Sequence, residues 1–451
     1  MTLNRFVALS VCATLTACGS GGSTSSSSPI VTIPTGTTPP TVPTPPPVAT
    51  PSSTPARFSA AQKIEGIQIT IPYVQQGGNY TFDFTIEAFY VVGNRLSVLK
   101  SFFPSNTNVS GKYGDEFAYA LSGNNATRVN SVVATSMPAD TIEIADFNKD
   151  GFKDVFIGDA GYDAGDFVGG KNKLLMGSTS GFVDASSNIP ATPDFTHSTA
   201  IADIDGDGDI DIFVGNIAWK PSMPMPYFLM NNGQGVFTSR NLFPSDFNAA
   251  LYTGSEFADL DGDGAPELIL GGDKIDSVIL RYVSGQFVKW QPLTGSSEYE
   301  KKIKIVTDVA VSDLNKDGKS EIVMTWTSSV PFYEGTFVDV LHQVDGKYTI
   351  KSTIPIAEKR WNSKLHVTDV NGDSFPDIVS TGYIPDTKIL INDGKDFRVD
   401  TTFVAPWNTQ FSGVEMWDVN NDGKLDFIFT KQDAQIIPNT LNVGVYVMYG
   451  I

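Results

Sequence analysis

The stretch Asp203–Asp211, DIDGDGDID, places carboxylates at its first, third, fifth and ninth positions and a glycine at its sixth. Side-chain oxygens at positions 1, 3, 5 and 9, joined by the backbone carbonyl of position 7, are the donor set a hard divalent cation takes up, and the glycine lets the chain fold back around it. The pattern returns as DFNKDGFKD from Asp146, DLDGDGAPE from Asp259, DLNKDGKSE from Asp313, DVNGDSFPD from Asp369 and DVNNDGKLD from Asp418. A single acidic turn is commonly a solvated loop. Six in phase are a repeat.

Successive first aspartates lie 57, 56, 54, 56 and 49 residues apart, the size of a four-stranded propeller blade. Each loop is flanked by short runs rich in β-branched and aromatic residues. TIEIAD, STAIAD, GSEFAD, DVAVSD, KLHVTD and GVEMWD precede the loops, and DVFIGD, DIFVGN, ELILGG, EIVMTW, DIVSTG and DFIFTK follow them. Each pair reads as a hairpin with the acidic loop at its tip. A third strand follows in all six units and a fourth in five, but the last unit stops at Ile451 without one.

That deficit points to IEGIQITIPY, Ile64–Tyr73, as the strand that closes the ring. Residues 80–137 supply a further blade without an acidic loop, with strands near YTFDFTIEAFYVV, RLSVLKSFF, EFAYALS and TRVNSVVA. The expectation is an all-β, seven-bladed β-propeller of four-stranded blades, with calcium loops in the first hairpin of six. Six blades plus an N-terminal accessory sheet is the alternative.

The unit of strand, D-x-[DN]-x-D-G-x-x-[DE] and strand resembles the FG-GAP or VCBS repeat family, found in the heads of integrin α chains and in many bacterial surface proteins. The resemblance spans about residues 140–451 and implies a calcium-binding β-propeller, without implying any one activity. EF-hands share the DxDxDG opening, but need flanking helices and a glutamate at position 12.

Up to six structural Ca2+ ions are expected. The ligands would be Asp146, Asn148, Asp150, Phe152 and Asp154 in the first loop, and Asp203, Asp205, Asp207, Asp209 and Asp211 in the second. Asp259, Asp261, Asp263, Ala265 and Glu267 form the third set, and Asp313, Asn315, Asp317, Lys319 and Glu321 the fourth. The fifth comprises Asp369, Asn371, Asp373, Phe375 and Asp377, and the sixth Asp418, Asn420, Asp422, Lys424 and Asp426. Position 7 contributes only its carbonyl, so its varied side chains fit. The second and third loops carry acids at all four side-chain positions and are expected to bind most tightly. Ser374 replaces glycine at position 6 of the fifth, which makes that site the weakest.

With 50 acidic and 31 basic side chains the net charge is −19, which disfavours nucleic acid as a partner, and 21 of those acids lie inside the six loops. Arg5 precedes an apolar stretch, Phe6–Leu15, that is too short to span a bilayer and ends in Leu15-Thr16-Ala17-Cys18. This resembles a bacterial lipoprotein signal, which implies cleavage before Cys18, its lipidation, and a membrane association through the lipid anchor only. Gly19 after the cysteine favours the outer membrane in the Gram-negative pattern. Cys12 and Cys18 are the only cysteines, so the mature chain has no disulfide. The expected organisation is a signal peptide at 1–17, a lipidated Cys18 with a disordered Ser/Thr/Pro-rich tether at 18–57, and the propeller at 58–451.

In such a ring the calcium hairpins share one face. The opposite face carries Tyr162, Phe195, Trp219, Tyr252, Tyr333, Trp361 and Trp407, aromatics suited to sugar rings or to a protein partner. Some of them are expected to cap blade cores instead. Catalytic residue types are scarce: three histidines, no thiol beyond the leader and the lipidated cysteine, and no phosphate loop or GxSxG elbow. The reading is a monomeric, non-enzymatic, surface-anchored binding module for glycan or protein ligands. The alternatives are a structural or assembly component of the envelope and a polysaccharide hydrolase or lyase.

Overall fold

The computed structural model describes residues 57–451 except 77–78, 83, 103–113, 116, 133, 136–140, 162–168, 219, 221, 294–303, 359–363, 382–386, 404–413 and 438–439. It is a seven-bladed β-propeller. Blade 1 consists of Phe84–Val92, Arg95–Phe102, Phe117–Ser122 and Asn125–Val129. Blades 2 to 7 begin with the inner strands Ile142–Ala145, Thr196–Ala202, Tyr252–Ala258, Lys304–Ser312, Lys364–Thr368 and Val414–Trp417, each running into its acidic loop. The pairings within blades are antiparallel, and in blades 2 to 6 they join sequence neighbours, as hairpin connections require.

Second strands are sandwiched between neighbouring blades and are therefore buried along their length: Asp154–Ile157, Asp211–Asn216, Glu267–Gly272, Glu321–Ser328 and Asp377–Thr381 are buried at every position, with an apolar run after each leading acid. Fourth strands line the outer edge and admit polar residues, as in Gln286–Leu293. Seven apolar clusters fill the seven contacts between adjacent blades. Phe156 and Leu174 meet Val214 and Leu229 between blades 2 and 3, for example, and Ile269 and Ile279 meet Ile322 and Trp326 between blades 4 and 5. Blade 1 packs on blade 2 through Tyr90, Leu99, Val155 and Ile157, and on blade 7 through Phe89, Val98, Ile428 and Val445. The ring therefore has no open interface.

Closure takes the form the truncated last unit requires. Ile69–Gln76 pairs antiparallel with Thr440–Met448, placing Ile69 opposite Val443 and Ile71 opposite Leu441. Gln62–Lys63 pairs further along the same strand, and Ile451 donates its N–H to the Arg57 carbonyl at 3.1 Å. Residues 57–76 and the C-terminal strand are thus laced together. One boundary differs from expectation: YTFDFTIEAFYVV is two strands, with Asn79–Phe82 extending blade 7 beside Ile69–Gln76 and only Phe84–Val92 belonging to blade 1.

Candidate functional site

All six acidic loops adopt one conformation, determined by hydrogen bonds from their own backbone. The position 1 carboxylate accepts the position 6 N–H, as in Gly151 to Asp146, Gly208 to Asp203 and Gly423 to Asp418, each at 2.9 Å. Position 5 accepts the position 7 N–H, as in Phe152 to Asp150 and Ala265 to Asp263. The curl requires positive φ at two places. Position 6 has φ 84–90° in the five glycine loops and 77° at Ser374, and position 4 is also left-handed, occupied by Gly206, Gly262 and Gly372 but by Lys149, Lys316 and Asn421 in the other loops. The second requirement escaped the sequence reading, because lysine and asparagine fill half of those positions.

The position 9 acid anchors each blade. One oxygen accepts the position 2 N–H in every loop, at 2.8 Å for Phe147 to Asp154 and 3.1 Å for Ile204 to Asp211. Where position 9 is aspartate, its second oxygen accepts a backbone N–H at the end of the third strand, from Gly177, Asn231, Asn392 or Gly450. The two glutamates instead meet third-strand side chains, Arg281 beside Glu267 and His342 beside Glu321 at 3.3 Å. These six acids are at most 2% exposed. Burial pushes Asp211, Glu321 and Asp377 up to about 7 and Asp426 to about 6, overcoming hydrogen bonds that favour the charge.

Neighbouring loops also hold one another. Lys149 pairs with Asp209 at 2.5 Å, and the Asn231 and Asn392 amides donate to the Phe147 and Leu314 carbonyls of the preceding loop-bearing blades. Asn421 reaches the Gly93 carbonyl in the turn of blade 1.

At the centre of the ring the inner strands of blades 2 to 7 enclose a cavity of about 310 Å3. Its charged lining follows the repeat register. Glu143, Glu256, His366 and Glu415 each stand three residues before their loop's first aspartate, and Asp308 and Lys364 stand five before. Register shifts after Thr196, Tyr252 and Val306 place His197, Thr253 and Thr307 in bulges at the same level of three strands, and His197 and Thr307 reach the cavity wall. Glu143 accepts a 2.6 Å hydrogen bond from Thr199 of the next blade, and Asp308 accepts the Leu365 N–H at 2.8 Å. Trp417 Nε1 donates to Glu415 at 2.9 Å, and His366 Nε2 lies 3.1 Å from the Thr381 hydroxyl.

Burial raises Glu143 to about 7, against the Thr199 hydrogen bond and the Lys364 charge. It raises Glu256 to about 8, with the Glu143 carboxylate adding to the effect. Burial, aided by Lys364, lowers His366 to about 3 and keeps its ring neutral. The sequence reading counted His366 as one of three histidines and passed over the glutamates. The signal was present as the third residue before four of the six loops, the other two having Ala200 and Ala310 there.

The family model of the FG-GAP-like repeat matches residues 146–214, 259–324 and 369–429, each span beginning at the first aspartate of a loop. The chain carries FG-GAP-like repeats at these three places. No curated protein matches it in sequence. Among solved structures, a crystal structure of a protein from Lactobacillus plantarum is similar at 11% identity and a TM-score of 0.45, over 74% of this chain and 95% of that one.

The acidic loops of this propeller offer the donors a calcium ion takes, to different degrees. Asp203, Asp205 and Asp211, and likewise Asp259, Asp261 and Glu267, bring carboxylate oxygens within 4.8 Å of one another. Among the described residues these are the acidic trios so converged, and they belong to the two loops with four side-chain acids. In the third loop the Arg281 guanidinium also contacts both Asp261 and Glu267, and is stacked on Trp290 at 3.5 Å. A metal entering there must displace it. Where position 3 is asparagine, its oxygen faces the position 5 N–H and its amide faces a carboxylate, as for Asn148 and Asn420.

The aromatics expected on the opposite face divide. Phe195 and Tyr252 are 1% and 5% exposed and serve as core, Phe195 with Ile217 and Met223, and Tyr252 stacked on Phe247. Tyr333 is half-buried in the turn before Glu334–Val344, at φ 54°, with Phe332 exposed beside it. Tyr162, Trp219, Trp361 and Trp407 lie outside the described residues, as do Cys18 and the tether. Between blades 2 and 3, Asp194, 1% exposed, accepts hydrogen bonds from Tyr227 at 2.6 Å, Asn172 at 3.0 Å and Asn216 at 3.1 Å, a polar knot that fixes the inter-blade connection.

Proposed function

We propose that this FG-GAP propeller is a calcium-stabilised, non-enzymatic binding module, lipid-anchored at Cys18 to the bacterial outer membrane, that takes glycan or protein ligands on the side away from its acidic loops. The cavity where six inner strands converge carries this reading, because it concentrates carboxylates, a lysine, histidines and an indole in a domain whose acidic loops are otherwise engaged in bracing the blades. Ca2+ would be held by the position 1, 3, 5 and 9 side chains and the position 7 carbonyls, where it neutralises clustered charge and ties the first hairpin of each blade. No step of chemistry is assigned to it.

A second reading, polysaccharide hydrolysis or lysis, draws on Glu143 and Glu256, coupled carboxyls held above the usual range as acid–base pairs are. The two readings separate in one experiment. The calcium-loaded chain is applied to a glycan array and to immobilised envelope proteins, and polysaccharides retained on it are assayed for chain cleavage. The binding reading expects a retained ligand, intact after prolonged incubation, and weaker retention for the E143Q/E256Q variant. Cleavage products that vanish in that variant would establish the enzyme reading instead, and absence of any retained ligand would overturn the binding role.

A further inference from the structure

We propose that the third acidic loop carries its own cation: the Arg281 guanidinium holds two of the four side-chain ligands, so this loop stays free of metal at calcium concentrations that fill the second. The proposal rests on the calcium reading of the loops and reverses, at one of them, the order their acids imply.

The second and third loops match at every side-chain ligand position except the ninth, where Glu267 stands in place of Asp211. By their acids alone the two should hold an ion about equally. They differ in what the third strand of the blade sets beside them. Strand register pairs Leu268 with Leu280, and the next residue, Arg281, falls beside Glu267. The same register in the other five loop-bearing blades brings Met176, Met230, His342, Ile391 and Tyr449 to that place. Arg281 is the one arginine or lysine among the six.

Its guanidinium engages ligands and not the periphery of the loop. Nη2 pairs with Asp261 Oδ2, and Nε lies 3.2 Å from Glu267 Oε1. The remaining oxygens of both acids are taken by the loop's own backbone. Asp261 Oδ1 accepts the Asp263 N–H at 3.2 Å, and Glu267 Oε2 accepts the Leu260 N–H at 2.8 Å. In the second loop the basic side chain goes elsewhere. Lys149 pairs with Asp209, which at position 7 would offer a metal only its carbonyl. Among the described residues, Asp203, Asp205, Asp207 and Asp211 have no ion-pair partner.

Arg281 is also held from behind. Its guanidinium carbon lies 3.5 Å from the centre of the Trp290 ring, on the adjoining strand Gln286–Leu293, and its Nε is buried. Stacking on an indole face favours one placement of the fork, and the group keeps its charge at any pH the protein meets. A calcium ion entering this loop must break two ion pairs and then sit close to a displaced positive charge still tethered to the same strand. Repulsion between them lowers affinity. Arginine and metal are therefore alternatives for one place.

Titration calorimetry with calcium, on the full chain first freed of metal by chelator, tests this in the parent and in R281Q, D207N and D263N. The last two remove the position 5 carboxylate from the second and third loops and keep an oxygen for the position 7 N–H that it accepts. The expected result is that D207N weakens one calcium site at least tenfold, D263N leaves the parent's titration unchanged, and R281Q gains one site, which is lost again in R281Q/D263N. A D263N variant that loses a site as D207N does would overturn the proposal, as would an R281Q variant with no more sites than the parent. Should R281Q fail to fold, the comparison of D207N with D263N decides alone. Loss of a site in D263N removes this inference and leaves the calcium reading in place, whereas a parent that binds no calcium removes both.

Discussion

Ser374 is the one non-glycine at position 6, and its φ of 77° lies where a Cβ crowds the backbone. S374G is expected to raise stability by about 1 kcal/mol, read from chemical denaturation, because it removes this strain while Ser374 keeps only a backbone bond to Asp369. Glu256 carries a prediction of opposite character. Its folded value of about 8 stands above the ordinary 4.5, so across that window the folded chain holds a proton the unfolded chain releases. Stability contributed by this group is therefore present below the ordinary value and lost as pH rises through the folded one. In E256Q the fall in stability from pH 5 to pH 8 should be shallower than in the parent, and an unchanged slope would refute this account of the cavity. At this scale the sequence showed the loop ligands plainly, since their spacing is periodic. It hid Glu143, Glu256 and Glu415, because a charged residue within an apolar strand looks like a solvated face until six strands are seen to converge.

The repeating element is the inner hairpin with its loop, and its position 9 acid does two jobs that separate on mutation. Asp211 binds the Ile204 N–H at 3.1 Å and the Asn231 N–H at 2.7 Å, both in buried surroundings. D211A leaves those two donors without an acceptor and is expected to cost about 3 kcal/mol even in chelator. D205A removes a loop oxygen from an exposed side chain, and its effect should be confined to calcium-containing buffer. Equal effects of the two variants in chelator would contradict the division. Strand identity was readable because second strands are continuous apolar runs and first strands end at the loops. The division of YTFDFTIEAFYVV was not readable, since nothing in an unbroken β-prone run marks where the chain leaves blade 7 for blade 1.

Across the whole molecule, stability depends on two closures. One is the pairing of Ile69–Gln76 with Thr440–Met448, which buries Ile64, Ile67, Ile69 and Ile71 among Val443, Val445 and Val447. Deleting residues 57–76 should abolish cooperative unfolding of the ring or lower its midpoint by more than 10 °C, on the order of the burial lost with four isoleucines. A deletion mutant that melts like the parent would show that blade 7 closes by other means. The seven-fold architecture was legible because the missing fourth strand of the last unit and the unclaimed strand before the first matched. The ligand was not, because a ring of this kind sets its chemistry by which residues meet at the axis, and that juxtaposition joins positions over 270 residues apart, from Glu143 to Glu415. The other closure is electrostatic. If each acidic loop holds a calcium ion, sites filled at 100 times their dissociation constant each add about 2.7 kcal/mol, and several together raise the melting temperature of a domain of this size by about 10 °C or more. Thermal unfolding at low ionic strength, in excess calcium and in chelator, measures this directly. A fall of that size in chelator, restored by calcium, is the predicted result, and an identical melting temperature in both buffers would contradict a structural role for metal in these loops.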